Sequence, residues 1–174
     1  MARTIQALRD HALQGGSLPS LLSSVNRGLC AHNNSCMFVT LFCAVLDTAN
    51  GDLVYACCGH PPPLIGDGKA GFTWLAAPEA LALGIVEDHA FEAGSARLGP
   101  GGTIVIYTDG VTEGTSAAGG MFQEERLLDV ANRHRAGSPQ ELNEAIASAV
   151  DAFASGVPQF DDLTLLALRY KGSG

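Results

Sequence analysis

The stretch that most constrains this chain is Leu98 to Gly114, LGPGGTIVIYTDGVTEG. A Gly/Pro turn feeds Thr103 to Thr108, a run rich in β-branched residues. Such a run reads as a central strand, buried between neighbours. It closes on Thr108-Asp109-Gly110, with Glu113 just beyond. An acid at the mouth of a buried strand can face a ligand, and the glycine after it lets that ligand approach the backbone. Asp-Gly is equally a common turn dipeptide. On local sequence alone the turn reading of Asp109 takes precedence.

The remaining elements limit what can surround that strand. Ile5, Leu8, Ala12 and Leu13 recur at helical spacing over residues 3 to 14, and Gly15-Gly16 ends the pattern. Ser17-Leu18-Pro19 opens a second helix striped by Leu21, Leu22, Val25 and Leu29. Phe38 to Leu46 is apolar almost throughout and reads as a strand buried on both faces. Asn50-Gly51 is a hairpin turn, and Asp52 to Cys58 returns as the partner strand. Gly59-His60-Pro61-Pro62-Pro63 forces an extended loop. A short hairpin turns on Gly66-Asp67-Gly68 and runs to Leu75; Phe91 to Leu98 reads as a further, amphipathic strand. Two helices follow, over Glu124 to Arg133 and from Ser138-Pro139-Gln140-Glu141, a capping box, to about Ala154. A last strand covers Leu163 to Arg169. Strands joined by hairpins and helices in groups predict an α+β protein of layered antiparallel sheets, not alternating βαβ units. At 174 residues one domain suffices, residues 1–170, with residues 171–174 a short tail.

Charge and composition exclude several classes. The net charge is −8, from 10 basic and 18 acidic residues, so the basic footprint of a nucleic-acid binder is missing. Met37 to Leu46 is too short to span a bilayer, and the N-terminus has no signal-peptide core. The chain reads as soluble and cytoplasmic. Its five cysteines, Cys30, Cys36, Cys43, Cys57 and Cys58, form no CxxC pair and read as reduced thiols in the core. A zinc site would need other spacing.

Several residues can carry chemistry, each beside a plainer role. Asp161-Asp162 precedes a strand as Asp109 follows one. Adjacent carboxylates repel unless a positive charge lies near; otherwise one faces solvent and the other caps the backbone. If the two strand mouths converge, their oxygens suit Mg²⁺ or Mn²⁺. His60 is a proton donor or an outer partner of such a site, or it braces its loop. Glu113 is an outer acceptor or a turn acid. Thr164 orients a carboxylate or is an ordinary strand residue. His11, His32, His89 and His134 have no arguable partners.

Four stretches occur in order: FVTL with Leu46-Asp47 and Gly51-Asp52-Leu53, then ACCGHPPP (56–63), IYTDGVTEG (106–114) and DDLT (161–164). Together they resemble the SpoIIE/RsbU branch of the PPM (PP2C-like) serine/threonine phosphatases. The resemblance implies a four-layer αββα sandwich. It also implies two ions, Mn²⁺ or Mg²⁺, in an acidic cleft, with Asp109 and Asp161 as ligands and hydrolysis by a metal-activated water. Gly110, Asp162, Glu113, His60 and Thr164 then stand at or just outside the metal shell. The substrate implied is a phosphorylated STAS-domain anti-anti-sigma regulator, with a sensor or receiver domain upstream in the full-length protein.

The chain departs from the family's pattern at its start. The family's GGD(F/Y)xD-like motif and its GDVxGHG or GDVxGKG motif have no counterpart, and Met1-Ala2-Arg3-Thr4 resembles the middle of the family's first long helix. The chain is therefore read as N-terminally truncated, with only part of the metal coordination and little or no activity alone. Strands left without neighbours would favour homodimerisation or strand exchange. The competing reading is a non-catalytic protein-binding module that keeps the phosphatase fold.

Overall fold

A computed structural model describes residues 5–6, 8–9, 16–31, 33, 36–78, 80–157 and 162–172. The expected helix over residues 3 to 14 falls mostly outside these; residues 5, 6, 8 and 9 are helical. The chain forms two compact units, each built on one antiparallel sheet.

The first unit comprises residues 1–47, 52–60 and 76–97. Its helix, α1 (Leu18–Cys30), starts where the sequence places it, with the Ser17 hydroxyl accepting from Ser20 N–H. The sheet has the order β1-β2-β5, from β1 (Leu41–Leu46), β2 (Asp52–Cys58) and β5 (Gly94–Arg97). Leu22 and Val25 of α1 meet Ala56 and Cys58 of β2 in a core with Leu83 and Phe91. Asn26, fully buried on the same helix, spends its amide on loop backbone. It donates to Val86 O at 2.8 Å and Glu87 O at 2.9 Å, and accepts from Gly84 N at 2.8 Å.

One expectation is corrected here. The run from Phe38 to Leu46 is not buried on both faces. Val39 makes only an isolated bridge to Leu83, and β1 begins at Leu41. It lies at the end of its sheet, with Phe38 62% and Val45 61% exposed. An apolar run shows that a strand is wanted but not whether both flanks are covered. The strand expected over Phe91 to Leu98 is also shorter, spanning Gly94–Arg97.

The second unit holds residues 48–51, 61–75 and 98–174. Its sheet has the order β4-β3-β6-β7, from β3 (Leu64–Asp67), β4 (Gly71–Trp74), β6 (Thr103–Tyr107) and β7 (Leu165–Arg169). β6 is central, as its composition demands, pairing Leu64 with Val105 on one side and Val105 with Ala167 on the other. Its odd-numbered residues Val105 and Tyr107 face a helical layer. That layer is α3 (Gln123–Arg133) and α4 (Pro139–Ala154), which contribute Leu127, Ala131, Leu142 and Ile146. The predicted capping box is present: Glu141 N–H donates to Ser138 Oγ at 3.2 Å, and Ser138 N–H to Glu141 Oε2 at 2.6 Å. Asn132 on α3 grips the backbone of Phe72 on β4 through both amide atoms. Gly51 takes φ +81° in its turn, where a Cβ would lie 2.1 Å from Leu98 O. Arg169 crosses from β7 to Thr103 Oγ1 and Gly137 O.

The architecture is thus α+β with antiparallel sheets flanked by helices, as the element order predicts. Among the described residues, no helix is long and apolar enough to cross a membrane.

Candidate functional site

The site forms where β6 ends and β7 begins. Antiparallel pairing from Thr103 with Arg169 through Tyr107 with Leu165 brings these two ends together. Asp109 follows one end directly, and Asp162 approaches the other.

Asp109 does not sit in an open turn. It is the first residue of α2 (Asp109–Thr112), a single helical turn with Thr108 in extended conformation before it. Its carboxylate is exposed, and Oδ1 accepts from Gly110 N–H at 3.1 Å. An acid in the first turn of a helix is favoured by the free N–H groups there. Gly110, expected to open the backbone to a ligand, is buried within α2. Glu113 caps the turn, its N–H donating to Asp109 O at 2.8 Å, and its side chain is exposed.

Thr108 joins the two strand mouths. Its hydroxyl donates to Asp162 O at 2.9 Å and accepts from Thr164 N–H at 3.0 Å. Its own N–H donates to Thr164 O at 3.1 Å. The structure therefore brings Asp109, Asp162 and Thr164 into one neighbourhood, with Glu113 at the far end of α2. Asp161, the other expected ligand, lies outside the described residues. Sequence reasoning assigned no separate role to Thr108. The usable signal was a hydroxyl residue directly before a strand-mouth acid, a position where short polar side chains bond local backbone.

His60 belongs to the first unit, whereas Asp109, Glu113, Asp162 and Thr164 belong to the second. It follows Gly59, whose φ of +64° and closeness to Ala82 leave no room for a side chain. The Cys57 thiol donates to His60 O at 2.9 Å, and the imidazole lies 6.3 Å from the Phe42 ring. These contacts account for a braced loop. Two other histidines have structural partners: His89 stacks edge-on with Phe91, and His134 closes α3.

The donor set suits a hard cation. Asp109 and Asp162 offer exposed carboxylate oxygens, the ligand type that Mg²⁺ and Mn²⁺ take. Among the described residues, no three His, Cys, Asp or Glu side chains gather into a metal-holding group. Exposed carboxylates of this kind are the described donors that a hard cation could use.

Fold and site together define an α+β protein with carboxylates at adjoining strand mouths. Comparison with known proteins places it further: the chain belongs to the Stage II sporulation protein E (SpoIIE) family, which it matches over residues 1–171. It is 28% identical over 168 residues to phosphoserine phosphatase RsbU of Bacillus subtilis, covering 96% of this chain and 50% of that protein. It is 31% identical over 137 residues to protein IcfG of Synechocystis, covering 79% of this chain and 21% of that one. The chain thus spans half or less of the length of these curated relatives. The same fold is seen in part of the structure of the RsbU and RsbW domains of Rv1364c from Mycobacterium tuberculosis. That structure aligns at TM-score 0.79 and 24% identity, over 100% of this chain and 48% of the other.

Proposed function

We propose that residues 1–170 are a metal-dependent phosphoprotein serine/threonine phosphatase domain and that residues 171–174 are a tail. The observation that best supports this reading is the hydrogen-bonded joining of the Asp109 and Asp162 strand mouths, in a SpoIIE-family chain that is 28% identical to a phosphoserine phosphatase. Asp109 and Asp161 are the ligands. Asp162, Glu113, Thr164 and Gly110 act at or outside the metal shell. Bound Mn²⁺ or Mg²⁺, two ions in the complete site, would supply an acidified water and offset charge on the phosphoryl oxygens. Asp109 presents its carboxylate to solvent, with Oδ1 oriented by Gly110 N–H. No protein nucleophile is required.

The substrate in this reading is a phosphorylated STAS-domain regulator in a cytoplasmic sigma-factor pathway, and a sensor or receiver domain is the partner upstream. The pairing of RsbU and RsbW domains in the M. tuberculosis protein is consistent with such a setting. Among the described residues no three His, Cys, Asp or Glu side chains gather, which supports weak, water-rich metal binding and low turnover. The reading also includes self-association. β7 ends its sheet and exposes Leu166 (51%) and Leu168 (39%), a surface suited to a second chain. A concentration-independent monomer by light scattering would count against that part.

The test is a Mn²⁺ titration followed by the EPR signal of free Mn²⁺, alongside release of phosphate from a phosphoserine STAS protein. Binding lost in Asp109→Asn is the expected result. Equal binding in that variant and the wild type would sink the ligand assignment. Tight binding of the phosphoprotein with no hydrolysis at any Mn²⁺ concentration would favour a docking module instead.

A further inference from the structure

We infer that Thr108 is a positioning residue whose hydroxyl replaces a backbone carbonyl at the end of the β6–β7 ladder, so that Asp109 can begin a helix while Thr108 stays tied to the backbone of Asp162 and Thr164. The inference rests on the reading of Asp109 as a metal ligand and deepens it.

The ladder pairs Thr103 with Arg169 through Tyr107 with Leu165 and ends there; by the same spacing, Thr108 and Thr164 are the next two residues to face each other. In an antiparallel ladder, residues opposite each other in a bonded pair exchange both N–H···O bonds. One of these is present: Thr108 N–H donates to Thr164 O at 3.1 Å. The return bond, from Thr164 N–H to Thr108 O, is not made. Thr108 O instead accepts from Val111 N–H at 3.0 Å and so starts α2.

One carbonyl is therefore wanted by two structures, the sheet and the helix. The Thr108 side chain resolves the conflict. Thr164 N–H donates to Thr108 Oγ1 at 3.0 Å, in place of the carbonyl. The same hydroxyl spends its proton on Asp162 O at 2.9 Å. A hydroxyl can donate and accept at once, which no aliphatic side chain of the same shape can do. Its two bonds bracket Leu163 and hold the backbone of Asp162, the residue that directly follows Asp161. On the other side, Asp109 is covalently the next residue. Thr108 thus ties the backbone of Asp162 and Thr164 to the residue that immediately precedes Asp109. At the start of α2 its hydroxyl makes no helix-capping bond, so the contact with residues 162–164 is its structural use.

Thr108→Val keeps the shape and removes both side-chain bonds, whereas Thr108→Ser keeps the hydroxyl. Each is measured by Mn²⁺ titration of the chain with EPR detection, beside Asp109→Asn and the wild type. Outer partners that orient metal ligands typically contribute 10–100-fold in affinity. The expected result is about tenfold weaker Mn²⁺ binding in Thr108→Val and binding within about twofold of wild type in Thr108→Ser. Ile106→Val, which trims β6 without touching these bonds, should lower the melting temperature and leave Mn²⁺ affinity unchanged. Amide exchange at Thr164 supplies a readout independent of metal: it should quicken in Thr108→Val and stay slow in Thr108→Ser. If the valine variant does not fold, Thr108→Ala carries the same comparison. Unchanged Mn²⁺ affinity in Thr108→Val, or a serine variant as weak as the valine one, overturns the inference while leaving Asp109 as a ligand. Unchanged affinity in Asp109→Asn overturns the ligand reading itself, and the inference with it.

Discussion

Replacing Asn26 by alanine should destabilise the chain by about 3 kcal/mol. Asn26 is fully buried on α1 and makes three hydrogen bonds to the backbone of residues 84–87. The carbonyls of Val86 and Glu87 belong to exposed residues, so water can replace the lost amide there. Those two losses come to about 0.5–1 kcal/mol each. Gly84 is buried, and its N–H would be left without an acceptor, at about 1–3 kcal/mol. The sum is about 2–5 kcal/mol. For a chain of this length, 3 kcal/mol corresponds to a fall in melting temperature of about 6–12 °C. Urea unfolding with an unchanged m-value gives the free energy directly. Amide exchange at Gly84 should accelerate before that at Leu22, because the loop loses its anchor while the helix keeps its apolar face. Asn26→Asp should be worse near neutral pH, since it sets a buried anion against two carbonyl oxygens. A loss below about 1 kcal/mol in Asn26→Ala, with Gly84 exchange unaltered, would falsify the idea that this side chain pins the loop.

Ser155 ends α4 in the left-handed conformation, φ 48° and ψ 46°. Ser155→Gly should therefore stabilise by about 0.5–1 kcal/mol, read from the urea midpoint. Two carboxyls, on half-buried Asp67 and exposed Glu141, are held below the usual range. Asp67 is lowered by N–H bonds from Ala70 and Lys69, and Glu141 by the N–H of Ser138. Their contribution is complete above the unfolded carboxylate values near about 4 and is lost as pH falls through the lower folded values. Stability should thus decline with acid below that point, and an Asp67→Asn, Glu141→Gln double variant should show a shallower decline. A thiol reagent should modify exposed Cys36 first and Cys58 last, because Cys58 is fully buried and burial pushes its thiol up to about 12. Peptide mapping after timed quenching gives the order, and early labelling of Cys58 would contradict it.

Features that close within a few residues of chain were legible before folding was considered. Ser138 and Glu141 make a capping box because both bonds close within one helical turn, and the structure has them. The Asn50-Gly51 turn and the strand from Thr103 depend on residues a few positions apart, so they too were legible. The motifs around Asp109 and Asp161-Asp162 were visible as acids at strand ends, and their order along the chain led to the family it belongs to. Tertiary structure decided the rest. Whether Phe38 to Leu46 is covered depends on which strands lie beside it, and side-chain apolarity does not carry that information. That β6 lies between β3 and β7 follows from pairings across about 40 and 60 residues of chain, and loop closure of that length leaves no local trace. The role of Thr108 is the clearest case. Its hydroxyl matters only because its carbonyl is claimed by Val111 while Thr164, 56 positions away, still needs an acceptor. A sequence lists donors and acceptors, but only the folded chain shows which of them compete for the same partner.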